Sequence, residues 1–379
     1  MRAAPKVLVF GSVNIDIVFH ACAKLPSPGE TVSCASCSRL NGGKGANQAV
    51  ACATVCGEDG VDVDFVGCLS SSDDAFVLGA LVERGVDVSK CQLESGVETG
   101  TACVLVDTRA ENCIVVSPGA NDCLSAEKFI KVMDSMHDAP GYACALFQLE
   151  TPFKESVAVA ERVRRDENNP CVTFLNFSPA KPELADAVLA CEHIDCLVVN
   201  ETEAKVLADF IEGEHGHKDE YKYEDEDEDE DEDDYNYHAR RITEFSDKFV
   251  LLTRGAAGAS FYLPHMPVSH GDTVYDQCYS ARALRLNEGE VVDTVGAGDA
   301  FVGAFVSSVA RNRLVVDAMG IASAAGALAC TEPGARPRAI ANAQDLAHSV
   351  DTTATSAYLF NCPTRELFKR LCIDIAHFN

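Results

Sequence analysis

The stretch IDCLVVNETEAKVLADFI, residues 194–211, decides the fold. Its first part, 194–200, is a short apolar run rich in β-branched residues, which reads as a buried strand. Its second part, 201–211, reads as a helix, and Asn200 and Glu203 have the spacing of a capping box at the junction. The same strand-then-helix unit recurs in both directions. VLVFGS (7–12), VDFVGC (63–68), ACALFQLE (143–150), VTFLNF (172–177) and KFVLLT (248–253) read as strands. Residues 44–57, closed by Gly57, 73–85, closed by Gly85, 155–165, 299–312 and 316–330 read as helices. Repeated β-α units predict an α/β fold: a three-layer α/β/α sandwich with a mainly parallel central sheet. Ligands of such sheets bind beyond the C-terminal strand ends, so functional residues are expected where strands pass into helices.

Two kinds of segment break the alternation. Residues 15–40 and 99–117 read as strand pairs with turns, able to form a small separate sheet. Residues 212–238 contain eleven consecutive acids at 224–234. Such a run repels itself and buries no apolar surface, so this stretch is expected to be a disordered insertion. The formal net charge is −28, and about −17 remains without the run. That balance excludes nucleic-acid binding, which needs Lys and Arg on phosphates. No apolar stretch is long enough to span a membrane, and the N-terminus runs into a strand without the pattern of a signal peptide. The expected location is therefore the cytoplasm, also because the final AHFN is not a peroxisomal signal. The 18 cysteines are expected to be free thiols acting as small hydrophobes, and the lone Cys34-x-x-Cys37 pair is read as two loop or strand cysteines rather than a zinc site.

Four constellations carry chemistry. In DTVGAGDAFVGAF (293–305), Gly296, Ala297 and Gly298 form a turn of small residues opening a helix. Such a turn presents free N–H groups and the positive end of the helix dipole, which suits a phosphate. Asp299 in the first helical turn has a simple reading as a cap, but a cap does not need three small residues before it. A carboxylate beside an anion site can also take the proton of an attacking hydroxyl. In NGGKGANQAVA (41–51), Gly42, Gly43 and Gly45 let backbone approach a ligand, with Lys44 and Asn47 at a helix start; the simpler reading is a flexible turn. Together with Asn14 and Asp16 after the first strand they make the polar set that a polyhydroxy substrate needs. NETE (200–203) and LLTRGAAG (251–258) are the other two, and each is weak alone.

Taken together, GSVNID, NGGKGANQA, NETE, LTRG and DTVGAGDAF resemble the phosphofructokinase-B family of carbohydrate kinases, and within it the ribokinase-like members, over roughly residues 5–345. The resemblance implies the α/β sandwich with a small β-sheet lid at 15–40 and 99–117, and a homodimer clasped through the lids. It implies one kinase domain over 1–350 with a C-terminal extension at 351–379. The implied reaction is ATP-dependent phosphorylation of D-ribose at O5, with Asp299 as general base and Gly296, Ala297 and Gly298 cradling the transferring phosphoryl group. Asn14, Ile15, Asp16, Gly43, Lys44, Gly45, Ala46, Asn47 and Glu150 would hold the sugar. Asn200, Glu203, Thr253, Arg254, Gly255, Gly258, Gly298 and Ser323 would form the nucleotide site, with Mg²⁺ entering with ATP. A potassium ion would be held by Asp293 and the carbonyls of Val295, Ala329, Glu332 and Gly334. Two positions depart from the family: Arg338 stands where a serine is usual beside the cation, and Ser323 where a histidine is common. A guanidinium beside a cation is unfavourable unless it turns outward. Three other readings compete: a family kinase for deoxyribose, fructose or a nucleoside, a non-catalytic sensor, and a docking tail formed by the acidic insertion.

Overall fold

Lys6–Phe10 (β1) is the strand from which the main sheet grows in both directions. Val7, Leu8, Val9 and Phe10 are all fully buried, because a strand covered by helices on both faces is apolar at every position rather than at alternate ones. The computed structural model describes residues 4–55, 60–108, 112–136, 141–165, 171–215, 230–264, 278–287, 289–354 and 364. After β1 come β2 (Asn14–Cys22), β3 (Ser36–Gly42), α1 (Lys44–Val55), β4 (Asp62–Val66), β5 (Cys68–Ser70), α2 (Asp74–Val82), β6 (Val86–Asp87), β7 (Gln92–Glu94), β8 (Gly100–Asp107) and β9 (Asn112–Ser117). The middle of the chain forms α3 (Ala126–Ser135), β10 (Cys144–Gln148), α4 (Phe153–Arg164), β11 (Val172–Asn176), α5 (Ala185–Leu189), β12 (Cys196–Asn200), α6 (Glu201–His215) and α7 (Glu230–Ser246). Then follow β13 (Phe249–Thr253), β14 (Ala259–Tyr262), β15 (Cys278–Ala281), α8 (Ala297–Ala310), α9 (Val315–Ala329), α10 (Ala343–Leu346) and β16 (Thr352–Ala354).

The main sheet has the order β16-β15-β14-β13-β12-β11-β10-β1-β4-β6. It is parallel from β6 to β13 and antiparallel beyond, at β14, β15 and β16. One face is covered by α1, α2, α8 and α9 and the other by α3 to α7, with separate apolar cores above and below. The three-layer α/β/α sandwich is therefore present. Chain order runs outward from β1 to β4 and β6 on one side, then restarts at β10 on the other. The crevice between β1 and β10 is thus the topological switch point, where α/β sheets bind ligands. A second sheet, β3-β2-β8-β9, is the expected lid. Among the described residues no helix is long and apolar enough to cross a membrane.

Three expectations need correction. Residues 212–215 extend α6 and residues 230–238 begin α7, so these parts of the supposed disordered insertion are helical. Ala239 and Ile242 of α7 are fully buried and Tyr235 packs beside them. They lie three and four residues apart, which makes an apolar stripe; it holds α7 against α6 and β13 despite the acids before it. The remainder of that run, 216–229, lies outside the described residues, as do Gly57 and most of the tail. Next, Cys22 and Cys34 are not free thiols but form a disulfide. The β2–β3 hairpin pairs Asn14 with Gly42 and His20 with Ser36, and continuing that register sets Cys22 opposite Cys34, close enough to bond. Cys37 is free and exposed. Finally, the kinase domain does not stop at 350: β16 adds Thr352–Ala354 to the main sheet, and the Thr364 N–H donates to the Arg313 carbonyl at 2.8 Å.

Candidate active site

The strand ends at the switch point deliver a linked set of polar side chains. Ser12, just after β1, donates its hydroxyl to Glu150 Oε2 at 2.5 Å, and the Lys44 N–H donates to the same oxygen at 3.0 Å. The Gly45 N–H in turn donates to Ser12 Oγ at 3.2 Å. Glu150, which follows β10, is thereby fixed to the first turn of α1. Asn14 Oδ1 accepts from Asn121 Nδ2 at 2.8 Å, and Asn121 also binds both backbone groups of Val13, so the start of β2 is held at three points.

Asp299 lies in the first turn of α8 and is only 9% exposed. Asn47 Nδ2 donates to its Oδ2 at 3.0 Å and Gln48 Nε2 to its Oδ1 at 2.9 Å. Gln48 Nε2 donates its other hydrogen to Asn176 Oδ1 at 3.0 Å, and Gln48 Oε1 accepts from Gln148 Nε2 at 2.7 Å. Gln148 and Asn176 are register partners at the ends of β10 and β11. The carboxylate is thus tied through α1 to two central strands. Gly296, the residue before α8, has φ of 78°, a left-handed conformation that glycine adopts without the penalty a side chain meets. A Cβ there would lie 2.6 Å from the Ala335 Cα, so the 334–336 segment packs directly on the turn of small residues. The first turn of a helix carries N–H groups without intrahelical partners, an arrangement that suits an anion; here the Ala297 N–H donates to the Thr294 carbonyl at 3.3 Å.

The opposite wall carries charge. Burial pushes Asp16 up to about 6, with Glu150 and Asp299 adding to the rise and Arg336 opposing it. Burial works against the charge of Lys44, but Asp299, Glu150 and Glu203 outweigh it and hold its pKa above the ordinary value. Arg336 donates from Nε to Asn47 Oδ1 and from Nη2 to the Gly42 carbonyl, both at 2.9 Å. Ile15 and Ala46 belong to the apolar core, so only their backbone can face the site. Gly43 joins β3 to α1.

Among the other expected residues, Asn200 and Glu203 form the reciprocal capping box: the Asn200 N–H donates to Glu203 Oε2 at 2.9 Å and the Glu203 N–H to Asn200 Oδ1 at 2.8 Å. Glu203 is also buried, and burial raises its pKa. The charges of Lys44 and Asp299 act on it, so the cap lies within electrostatic range of both. Thr253 ends β13, and Gly255 and Gly258 follow it. Arg254 is buried with Nη2 on Ser260 Oγ at 3.3 Å. The Ser323 hydroxyl donates to the Arg282 carbonyl at 2.7 Å and is spent on holding that loop. Asp293 accepts from the N–H of Val295 at 2.9 Å and of Gly334 at 2.8 Å, so the expected cation residues of the 293–295 and 329–334 segments do meet. Arg338 is exposed, turned outward, and its N–H donates to Glu332 Oε2 at 2.6 Å. Among the described residues no three His, Cys, Asp or Glu side chains cluster as a ready metal site. The open cleft of about 890 Å³ lined by Phe153, Lys154, Lys181, Leu184 and His193 lies elsewhere and contains none of these groups.

Sequence reading overlooked Ser12, Gln48, Asn121, Gln148, Asn176 and Arg336. The signal for Gln148 and Asn176 was a single polar residue ending an otherwise apolar strand, a place where an amide needs a partner.

Residues 4–341 match the model of the pfkB family carbohydrate kinases. The chain is 29% identical over 334 residues to a ribokinase of Schizosaccharomyces pombe, covering 87% of this chain and 93% of that one. A ribokinase of Staphylococcus aureus is 28% identical over 335 residues, with 87% and 95% covered, and a deoxyribokinase of Salmonella typhi 26% identical, with 86% and 93% covered. Among solved structures, ribokinase from Cryptococcus neoformans in complex with ADP superposes with a TM-score of 0.69 at 26% identity over 90% of this chain and 99% of that one. With the family matched across nearly its whole length, the chain belongs to the pfkB carbohydrate kinases and is a phosphotransferase that takes an alcohol group as acceptor.

Proposed function

We propose that this kinase transfers the γ-phosphoryl group of ATP to O5 of D-ribose, giving D-ribose 5-phosphate and ADP. The observation that carries the reading is the position of Asp299: a buried carboxylate held by Asn47 and Gln48 in the helix turn that follows Gly296. Relatives named ribokinase, which match nearly end to end, support ribose as the acceptor. Asn14, Asp16, Lys44, Asn47 and Glu150 hold the sugar hydroxyls and present O5 to Asp299. Asp299 takes the O5 proton as O5 attacks the γ-phosphorus; the O5–P bond forms and the bond from phosphorus to the β,γ-bridging oxygen breaks. The backbone at Gly296, Ala297 and Gly298 holds the phosphoryl oxygens, which is where most of the catalysis of phosphoryl transfer resides. Asn200, Glu203, Thr253, Arg254, Gly255 and Gly258 line the nucleotide half.

Asn200 and Glu203 would hold the Mg²⁺ of ATP through water, and the ion would supply neutralisation of the phosphate charge. Potassium fits the 293–295 and 329–334 segments, whose donors are one carboxylate and backbone carbonyls, an oxygen-only set that suits a hard cation. The outward turn of Arg338 removes the repulsion expected there. The lid strand β9 exposes Ile114, Val115 and Val116 at 54%, 68% and 50%, an apolar row that suits a second copy of the lid. Turnover of ATP with D-ribose, 2-deoxyribose, fructose and adenosine tests the proposal. It holds if kcat/KM is highest with ribose, and fails if another acceptor is preferred.

A further inference from the structure

Among the described residues, several buried polar atoms around the site have no hydrogen-bond partner: Oδ1 of Asn41, Oε1 of Gln148, Oδ1 of Asp16 and Nη1 of Arg336, and the last two belong to an acid and a base. A buried polar atom left unmet costs about 1–3 kcal/mol, so native structures keep few of them. Both residues rest on the same short stretch of backbone. Arg336 Nη2 donates to the Gly42 carbonyl at 2.9 Å, and a Cβ on Gly42 would lie 2.1 Å from Asp16 Oδ2. Asp16 is also the strongest charge acting on Arg336. Yet the two do not close on each other as an ion pair, although each has an atom free to do so. Arg336 is held in place from two sides, by Asn47 Oδ1 through Nε and by Gly42 through Nη2. Its own carbonyl accepts from Arg84 Nη2 at 2.8 Å. The guanidinium is therefore fixed before any ligand arrives, with Nη1 to spare. Burial lowers its pKa to about 10, so it remains a cation at neutral pH.

We propose that Arg336 is a specificity-determining residue of the sugar site, its free Nη1 and the free Oδ1 of Asp16 forming a donor–acceptor pair that takes two adjacent hydroxyls of the acceptor. One hydroxyl donates to the carboxylate and the other accepts from the guanidinium, which uses both roles that a hydroxyl has. A rigid pair of this kind favours a vicinal diol over a deoxy sugar, since a missing hydroxyl leaves one of the two buried atoms unmet. The inference rests on the ribose reading given above.

The test is binding of D-ribose, 2-deoxyribose and 3-deoxyribose by calorimetry to the wild-type protein, Arg336→Gln and Arg336→Lys, with ADP affinity as the check on the fold. The expected result is a loss of ribose affinity of roughly 10- to 100-fold in Arg336→Gln. The wild-type preference for ribose over at least one deoxy sugar should also shrink in the variant, because the hydroxyl and the guanidinium lose the same contact. Arg336→Lys keeps the charge without the fork and should fall between. Equal losses on all three sugars would mean that Arg336 only supports Asn47 and Gly42, and would overturn the inference, as would unchanged affinities. Should Arg336→Gln lose ADP binding, the same comparison made with Arg336→Lys decides. A wild-type protein that binds no pentose overturns the ribose reading and this inference with it, whereas pentose binding untouched by either variant overturns this inference alone.

Discussion

Asp299 and Asp16 are carboxylates of one site, and the protein treats them in opposite ways. Each oxygen of Asp299 accepts from a side chain of α1, and Gln48 is itself tied to Gln148 and Asn176. Asp16 is pushed up to about 6 by burial and keeps Oδ1 without a partner. The difference separates two jobs. A group that must be in place before the reaction is held by the fold, because misplacement by an ångström costs about 100-fold in rate. A group that must meet a ligand keeps a polar atom unmet until the ligand supplies the partner. In the proposed reading, the satisfied carboxylate is the base and the unsatisfied one is the reader of the substrate.

The contrast can be broken from either side. The largest effect should come from Gly296→Val: its side chain would run into Ala335 and would sit at a φ of 78°. Steady-state kinetics should show turnover down about 100-fold or more, with sugar affinity close to wild type. Gln48→Leu removes the link that orients Asp299 and leaves the amides of Gln148 and Asn176 buried with fewer partners. Chemical denaturation should show a loss of about 1–3 kcal/mol, and kcat should fall by about tenfold while KM for the sugar moves less.

A pH profile sharpens the other side. If Asp16 accepts sugar hydroxyls in its charged form, as proposed, kcat/KM should fall as pH drops through about 6, rather than near the ordinary carboxylate value of 3.8. The stability contribution of Asp16 runs the other way. Its folded pKa lies above the unfolded one, so the ionised form costs stability in full above about 6, and the cost is relieved as pH falls toward 3.8. Thermal melts of Asp16→Asn should therefore show a higher Tm than wild type near neutral pH and a smaller difference at acid pH, with sugar affinity lowered throughout. The groups facing Asp16 are Glu150, Arg336 and Asp299; an acid limb that Glu150→Gln moves to lower pH, because a charge that raises Asp16 is gone, and that Asp16→Asn abolishes would assign it to Asp16. The smallest effect belongs to Asn200→Ala, which opens the capping box of α6: about 1 kcal/mol of stability, read by denaturation, with turnover within a few-fold of wild type.

Much of this was legible in the sequence, for physical reasons. A strand buried on both faces has to be continuously apolar, so the main parallel strands stood out, and the turn of small residues before Asp299 had no simpler use. The antiparallel edge β14–β16 was not legible, because a short strand after a turn carries no crossover helix to mark it. Helix α7 was hidden by the acids before it: charge dominates a composition window, whereas two or three residues such as Ala239 and Ile242 are enough to dock a helix. Arg336 was hidden for a different reason. In GARPR it reads as one of two loop cations, and Arg338, two residues on, drew attention because of the cation it was expected to face. Only the folded chain sets one arginine outward and the other against Gly42 and Asn47. The Cys22–Cys34 bond likewise appears only once the register of the β2–β3 hairpin is known.

The most direct test of the account is single-turnover phosphoryl transfer to D-ribose, measured together with ribose binding, in wild type, Asp299→Asn and Asp16→Asn. The account predicts that Asp299→Asn keeps ribose affinity near wild type and loses about 100- to 10,000-fold in the transfer rate, while Asp16→Asn loses affinity first and transfers at a far less reduced rate once the sugar is saturating. Transfer by Asp299→Asn at the wild-type rate, or loss of affinity and rate in equal measure in both variants, would contradict the division of the site into a fixed base and a waiting reader.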